Sequence, residues 1–166
     1  MWLDPKELSE WAYNYCRYIK DRPEIRKYIT DSKWAFWYCD KIINRPEVRK
    51  YITDSYWAYV YCKWIKDDSD VRKNITNSVR SFNYCKWIKD IPEVRKNITN
   101  SYWAFRYCQF IKDRPEVRKY ITEFEWAYDY CRYVKDRPEV KKNITGTYYL
   151  LYLEMIKHRR NKNAKW

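Results

Sequence analysis

Six cysteines, Cys16, Cys39, Cys62, Cys85, Cys108 and Cys131, follow one another at a fixed step of 23 residues, and their chemistry is the first to settle. Sulfur in sixes suggests disulfides or a metal, but there is no C-x-x-C pair, and the single histidine, His158, cannot complete a zinc shell. Equivalent helices of adjacent repeats lie about 8–10 Å apart, beyond the roughly 7 Å Cα separation a disulfide spans. The cysteines therefore read as reduced thiols packed as small apolar side chains, and no metal or other cofactor is expected. One histidine near a terminus and one glycine, Gly146, offer neither a base beside a nucleophile nor a phosphate-cradling loop, so no enzyme is expected. The nearest thing to a catalytic constellation is Arg80 with Asp67, Asp68 and Asp70. It reads either as drift within the repeat or as a polar pocket.

Binding chemistry is better represented. Aromatic residues make up 20% of the chain and charged residues 34%, with a net charge of +13, so an anionic partner is expected. Rings interleaved with Lys and Arg are what single-stranded nucleic-acid binders use, bases stacking while cations hold phosphates. Two repeat positions vary most between copies: Asn14, Trp37, Val60, Asn83, Arg106 and Asp129 at one, and Arg17, Asp40, Lys63, Lys86, Gln109 and Arg132 at the other. The candidate partner-binding set is Arg17, Trp37, Lys63, Lys86, Arg106 and Arg132, joined by Arg80 and by His158, Arg159 and Arg160 near the C-terminus. Tyr13, Phe36, Tyr59, Phe82, Phe105 and Tyr128 are further rings expected to reach outward. Lys20, Lys66, Lys89, Lys112 and Lys135, with Arg26, Arg49, Arg72, Arg95 and Arg118, form periodic basic rows that read as a solvated face or as a track for phosphates.

The elements that position these groups come from the repeat. A period of 23 residues is the signature of an array in which each unit buries its apolar face against the next. The fold class expected is all-α: an α-solenoid of six αα-hairpins at about residues 10–32, 33–55, 56–78, 79–101, 102–124 and 125–147. A capping helix over 148–160 closes this single domain of residues 1–160, and 161–166 form a mobile basic tail. Asp4-Pro5 opens the first helix, which should run to about Lys20, and Asp31, Asp54, Asn77 and Asn100 cap later long helices. At about 100° per residue, Trp34, Ala35, Tyr38, Cys39 and Ile42 form one buried stripe, widened by Tyr18, Trp64, Trp87, Phe110 and Tyr133. A Pro-Glu turn such as Pro23-Glu24 begins a short helix with Ile25, Tyr28 and Ile29 inward and Arg26 and Lys27 outward.

Two irregularities break the pattern. Ser69 stands where other repeats have the turn proline, and Arg80-Ser81 replaces Trp-Ala. A missing Trp forfeits roughly 150–250 Å² of burial, so a dent or weak joint is expected there. The Asn-Ile-Thr triplets at Asn74, Asn97 and Asn143 match a glycosylation pattern, but they hold the slot of Tyr28, Tyr51 and Tyr120 and read as repeat echoes. No apolar run approaches the roughly 18 residues that span a bilayer, and the first residues lack a secretory leader's basic and apolar regions. No membrane association is expected, and the cytoplasm, a host's if the protein is viral, is the expected compartment.

The unit Trp-Ala-Tyr-x-Tyr-Cys, followed by Pro-Glu and Tyr-Ile-Thr-Asp, resembles the short tandem α-helical repeats of many bacteriophage and giant-virus proteins over residues 10–147. Those repeats usually carry Ala where this chain has Cys39 or Cys62, and a longer glycine-containing turn. The resemblance implies stacked helices and a viral origin and transfers no functional residue. The residues themselves suggest a binding scaffold for RNA or DNA. The alternative is a protein–protein scaffold, for example a viral factor that sequesters a host protein with an acidic surface. A third reading is an enzyme built on Arg80 and the central aspartates.

Overall fold

The structure is a computed structural model describing residues 4–163. Among them are thirteen helices and no strand: α1 (Pro5–Tyr18), α2 (Pro23–Arg26), α3 (Ser32–Lys41), α4 (Pro46–Arg49), α5 (Ser55–Trp64), α6 (Ser69–Arg72), α7 (Ser78–Trp87), α8 (Pro92–Arg95), α9 (Ser101–Phe110), α10 (Pro115–Arg118), α11 (Phe124–Tyr133), α12 (Pro138–Lys141) and α13 (Gly146–Asn163). The chain groups into two compact units, Met1–Ile88 and Lys89–Trp166. In the first, α1, α3, α5 and α7 each pack on the next, with α2, α4 and α6 against the long helix preceding each. In the second, α9, α11 and α13 do the same, with α10 on α9 and α12 on α11. Long and short helices alternate with the sequence period, and the all-α hairpin stack expected of a helical-repeat solenoid is present.

Local signals explain the boundaries. Asp4 makes a capping box with Glu7, and the side chains of Asp31, Asp54, Asn77 and Asn100 accept first-turn N–H groups as expected. The serine at one repeat position, which follows the cap in α3, α5 and α9 and lies inside α1, does a second job. The hydroxyls of Ser9, Ser32, Ser55 and Ser101 accept backbone N–H groups 21 or 22 residues downstream, tying each hairpin to the next. Asn74 and Asn143 likewise donate their side-chain amides to the carbonyls of Ile52 and Ile121. That packing role accounts for Asn in the triplets.

The short helices start on proline without a side-chain cap, except α6. There Ser69 replaces proline and the Asp68 carboxylate caps the Asp70 N–H instead. Asp68 already holds the extended conformation that precedes proline, φ −108° and ψ 127°. Ser69→Pro is therefore expected to stabilise the protein by about 0.4–1 kcal/mol, read as a higher urea midpoint. A lower midpoint would contradict this account of the turn.

The buried arc of the long helices is rotated by roughly 50° from the expected stripe. Ala35, Phe36, Tyr38 and Cys39 and their counterparts are buried. Tyr13, Phe36, Tyr59, Phe82, Phe105 and Tyr128, expected to reach outward, are only 3–8% exposed. Tyr18, Trp64, Trp87, Phe110 and Tyr133, expected to widen the core, are 50–70% exposed. The cause is that a helix inside a stack has a neighbour on both flanks. Three tryptophans at the repeat's Trp position lean across the ring that precedes them in the stack, Trp34 on Tyr13 at 5.1 Å, Trp57 on Phe36 at 5.1 Å and Trp126 on Phe105 at 6.1 Å. These three tryptophans are thus partly covered rather than central.

The arginine row differs more. Arg26, Arg95 and Arg118 are buried, while Arg49 and Arg72 are mostly so. They belong to an internal polar ladder. The Tyr38, Tyr84, Tyr107, Tyr130 and Tyr152 hydroxyls donate to Asp21, Asp67, Asp90, Asp113 and Asp136 at 2.8–3.0 Å. Arg72, Arg95 and Arg118 then bind Asp67, Asp90 and Asp113 at 2.6–3.0 Å. Arg26 and Arg118 continue to the next hairpin's Glu47 and Glu139 at 2.9 and 2.8 Å, and Arg95 to Glu116 at 3.3 Å. A surface track for phosphates is excluded for this row, because its guanidinium groups are spent inside the protein. In the short helix Arg26 is buried and Tyr28 exposed, the reverse of the apolar pattern, because the aspartate beneath Arg26 requires a cation.

Candidate nucleic-acid interface

With the arginines inside, the outward chemistry lies at the C-terminal ends of the long helices. In the first unit Arg17, Lys63 and Lys86 hold their charges 5.0, 4.8 and 4.7 Å from the rings of Tyr18, Trp64 and Trp87. In the second, Arg106 lies 4.6 Å over Phe110 and Arg132 lies 5.0 Å over Tyr133. A lysine follows two residues after each ring, Lys20, Lys66, Lys89, Lys112 and Lys135, and all five are exposed. For Arg17, Lys63, Lys86 and Arg132 a cation in the last turn suits the negative end of the helix dipole, so this placement is stable before any ligand arrives. The exposed ring beside it has no such excuse. It keeps a large apolar face in water in five of the six hairpins.

The second repeat departs from this pattern. Asp40 stands where four of the other five have a cation and Lys41 where all five have a ring, and the Lys41 ammonium bonds Asp40 at 2.8 Å and lies 5.5 Å over Trp37. Trp37 is half-buried against Phe36 and Trp57, at 5.2 and 6.3 Å between ring centres. Together with Asp40, Tyr56, Trp57, Val60 and Trp64 it lines a cleft of about 450 Å³ between α3 and α5.

The remaining candidate residues are scattered. Arg80 lies 4.6 Å over the Tyr56 ring, filling the place of the missing tryptophan, and Ser81 is buried with its hydroxyl donating to the Ile75 carbonyl. Asp67 goes to Arg72 and Tyr84, Asp68 to Arg49, and Asp70 to Lys73. The suggested polar pocket of Arg80 with these aspartates does not form, because each carboxylate is claimed by a partner other than Arg80.

Arg132, His158 and Arg159 do come together, lining a cleft of about 330 Å³ between α11 and α13 with Tyr128, Glu154 and Met155. Arg159 also donates to the Cys131 and Arg132 carbonyls, at 2.9 Å in the shorter case, closing the end of α11. The last helix is longer than expected at both ends, Gly146–Asn163 rather than 148–160, with Arg160 exposed on it. Gly146 adopts φ 58°, the left-handed conformation glycine favours. Of the supposed tail, 161–163 are thus helical, and 164–166 lie outside the described residues.

All six cysteines are buried and free. Burial pushes the Cys39, Cys62 and Cys108 thiols up to about 12 and Cys131 to about 11. The backbone N–H groups of Arg45, Asp68, Arg114 and Arg137 aimed at those sulfurs oppose the shift without cancelling it. Among the described residues no group of three or more His, Cys, Asp or Glu is placed to hold a metal ion. None of their helices is long and apolar enough to cross a membrane.

No family model, curated protein or solved structure matches this chain.

Proposed function

We propose that this chain is a non-enzymatic helical-repeat protein that binds single-stranded nucleic acid. Exposed rings at the long-helix ends stack bases, and the neighbouring lysines and arginines contact phosphates. The carrying observation is the recurrent pair of a half-exposed ring and a cation about 5 Å from it, as at Lys63–Trp64 and Lys86–Trp87. The net charge of +13 adds long-range attraction. Thiols held protonated by burial supply no nucleophile at neutral pH, which favours binding over catalysis.

The test is a titration of fluorescent single-stranded RNA and DNA oligomers against salt. With about five phosphate contacts, log K should fall with log salt at a slope near −3.5, about −0.7 per contact. Trp64→Ala and Trp87→Ala should each weaken binding roughly tenfold, since a base–ring stack is worth about 1–3 kcal/mol, while the melting temperature stays put because both rings are exposed. Flat salt dependence, or wild-type affinity in both variants, would remove the proposal. Tryptophan and arginine are also the residues that dominate protein interfaces. Capture of an acidic protein that survives nuclease treatment, with no oligomer binding, would favour the scaffold reading instead.

A further inference from the structure

We propose, building on the nucleic-acid reading above, that the cleft between α3 and α5 is a pocket for one unstacked nucleobase bearing an exocyclic amino group. Three tryptophans converge there, Trp37, Trp57 and Trp64, and Tyr56 meets Trp57 edge-on at 4.9 Å. At its variable position Trp37 is the only aromatic residue; the other repeats have Asn14, Val60, Asn83, Arg106 and Asp129. The apolar lining therefore belongs to this repeat pair rather than to the general packing scheme. Its volume of about 450 Å³ falls within the range of small-molecule sites, about 300–1,000 Å³.

Two occupants suit an aromatic cleft, a cation and a flat π system, and charge separates them. Lys41 already sits over Trp37, and Lys63 over Trp64. An added cation would be repelled by those two ammonium groups. A neutral base is attracted to the same faces, and its phosphate is drawn to Lys41 and Lys63.

Polar discrimination comes from Asp40, which stands where four of the other five repeats carry a cation. One carboxylate oxygen is bonded to Lys41 and the other has no partner among the described residues. A carboxylate accepts from the amino group of cytosine or adenine and repels the carbonyl that uracil and thymine present there. Cytosine and adenine, and guanine through its 2-amino group, are thus favoured in this cleft over uracil and thymine.

The experiment uses the full chain and labelled ten-residue oligomers of C, A and U or T, as both RNA and DNA, at one salt concentration. Oligo-C and oligo-A should bind about tenfold more tightly than oligo-U or oligo-T. Asp40→Ala, at an exposed position, should erase that ratio, and Trp37→Ala should weaken C and A binding while U and T binding changes little. Equal affinities for every oligomer with a steep salt dependence would overturn the pocket and leave the broader nucleic-acid reading standing. No binding to any oligomer would remove both. Displacement of Lys41 by a trimethyl-lysine peptide, seen as micromolar binding lost in Trp37→Ala, would overturn the base in favour of a cation.

Discussion

Raising the pH above about 10 is expected to unfold the protein in one steep, cooperative transition, because its core is lined with acids held in their neutral form. Burial first, and then the hydrogen bonds to Asp21, Asp67, Asp90, Asp113 and Asp136, lift the hydroxyls of Tyr38, Tyr84, Tyr107, Tyr130 and Tyr152 above the usual tyrosine value. Burial also lifts Tyr61, where the amide of Asn44 opposes the shift. The thiols of Cys39, Cys62 and Cys108, at about 12, and of Cys131, at about 11, move the same way. A folded-state pKa above the unfolded one contributes stability that is complete below the unfolded value and drains away as pH rises past it. The window therefore opens near pH 9 for the thiols and near 10 for the phenols. Each group still protonated in the fold but ionised in the unfolded chain removes about 1.4 kcal/mol per pH unit. A handful together overtake a typical domain stability of about 5–15 kcal/mol within a unit or two. Circular dichroism should show helix lost together with a rise in tyrosinate absorbance at high pH. Tyrosinate forming near pH 10 with the helical signal intact would show these rings to be open to solvent.

Removing one rung of the ladder should be the most damaging single substitution. Asp113 accepts from Tyr130 at 3.0 Å and from Arg118 at 2.6 Å, and faces Arg137 at 3.7 Å. In Asp113→Ala the buried Arg118 keeps only Glu139, at 2.8 Å, and the Tyr130 hydroxyl loses its acceptor. Breaking a buried pair from one side costs about 3–5 kcal/mol. Because the Asp113 side chain is 20% exposed, a loss near 3 kcal/mol is expected in urea unfolding. Asp113→Asn should lose far less, since the second repeat is built that way. There the Asn44 amide donates to the Tyr61 hydroxyl at 2.8 Å, its oxygen accepts from Arg49 at 3.3 Å, and Arg49 reaches Asp68 at 3.5 Å. An alanine variant within about 0.5 kcal/mol of the parent chain, the range of ordinary surface changes, would show the ladder to be decorative.

Asp90 completes the pH picture from the acid side. Burial alone would raise its carboxyl, yet hydrogen bonds from Arg95 and Tyr107 hold it below the ordinary value. A depressed carboxyl contributes stability that is present above the unfolded value and lost as pH falls through the folded one. This rung should therefore weaken only below about pH 4, leaving a broad neutral plateau between the acid and alkaline limits.

How much of this was legible beforehand varies by position. The hairpin repeat, the caps at Asp31, Asp54, Asn77 and Asn100, and the buried thiols follow from period, local propensity and size, which act within one repeat. The candidate interface was only half legible. Lys63 and Lys86 were singled out from their spacing, but the rings beside them were assigned to the core and are exposed. Both aromatic columns of the long helix are compatible with burial on a lone helical wheel. Which of them is covered depends on neighbours 23 residues away in either direction.

The sequence by itself determined an all-α chain of capped hairpins with a recurring apolar face, because spacing, proline and capping residues are short-range instructions. Only the tertiary structure decided that Arg26, Arg95 and Arg118 turn inward while Trp64 and Trp87 stay in water. A cation is drawn inside where a buried tyrosine and aspartate await it, and a ring is left outside where the stack has no neighbour to cover it.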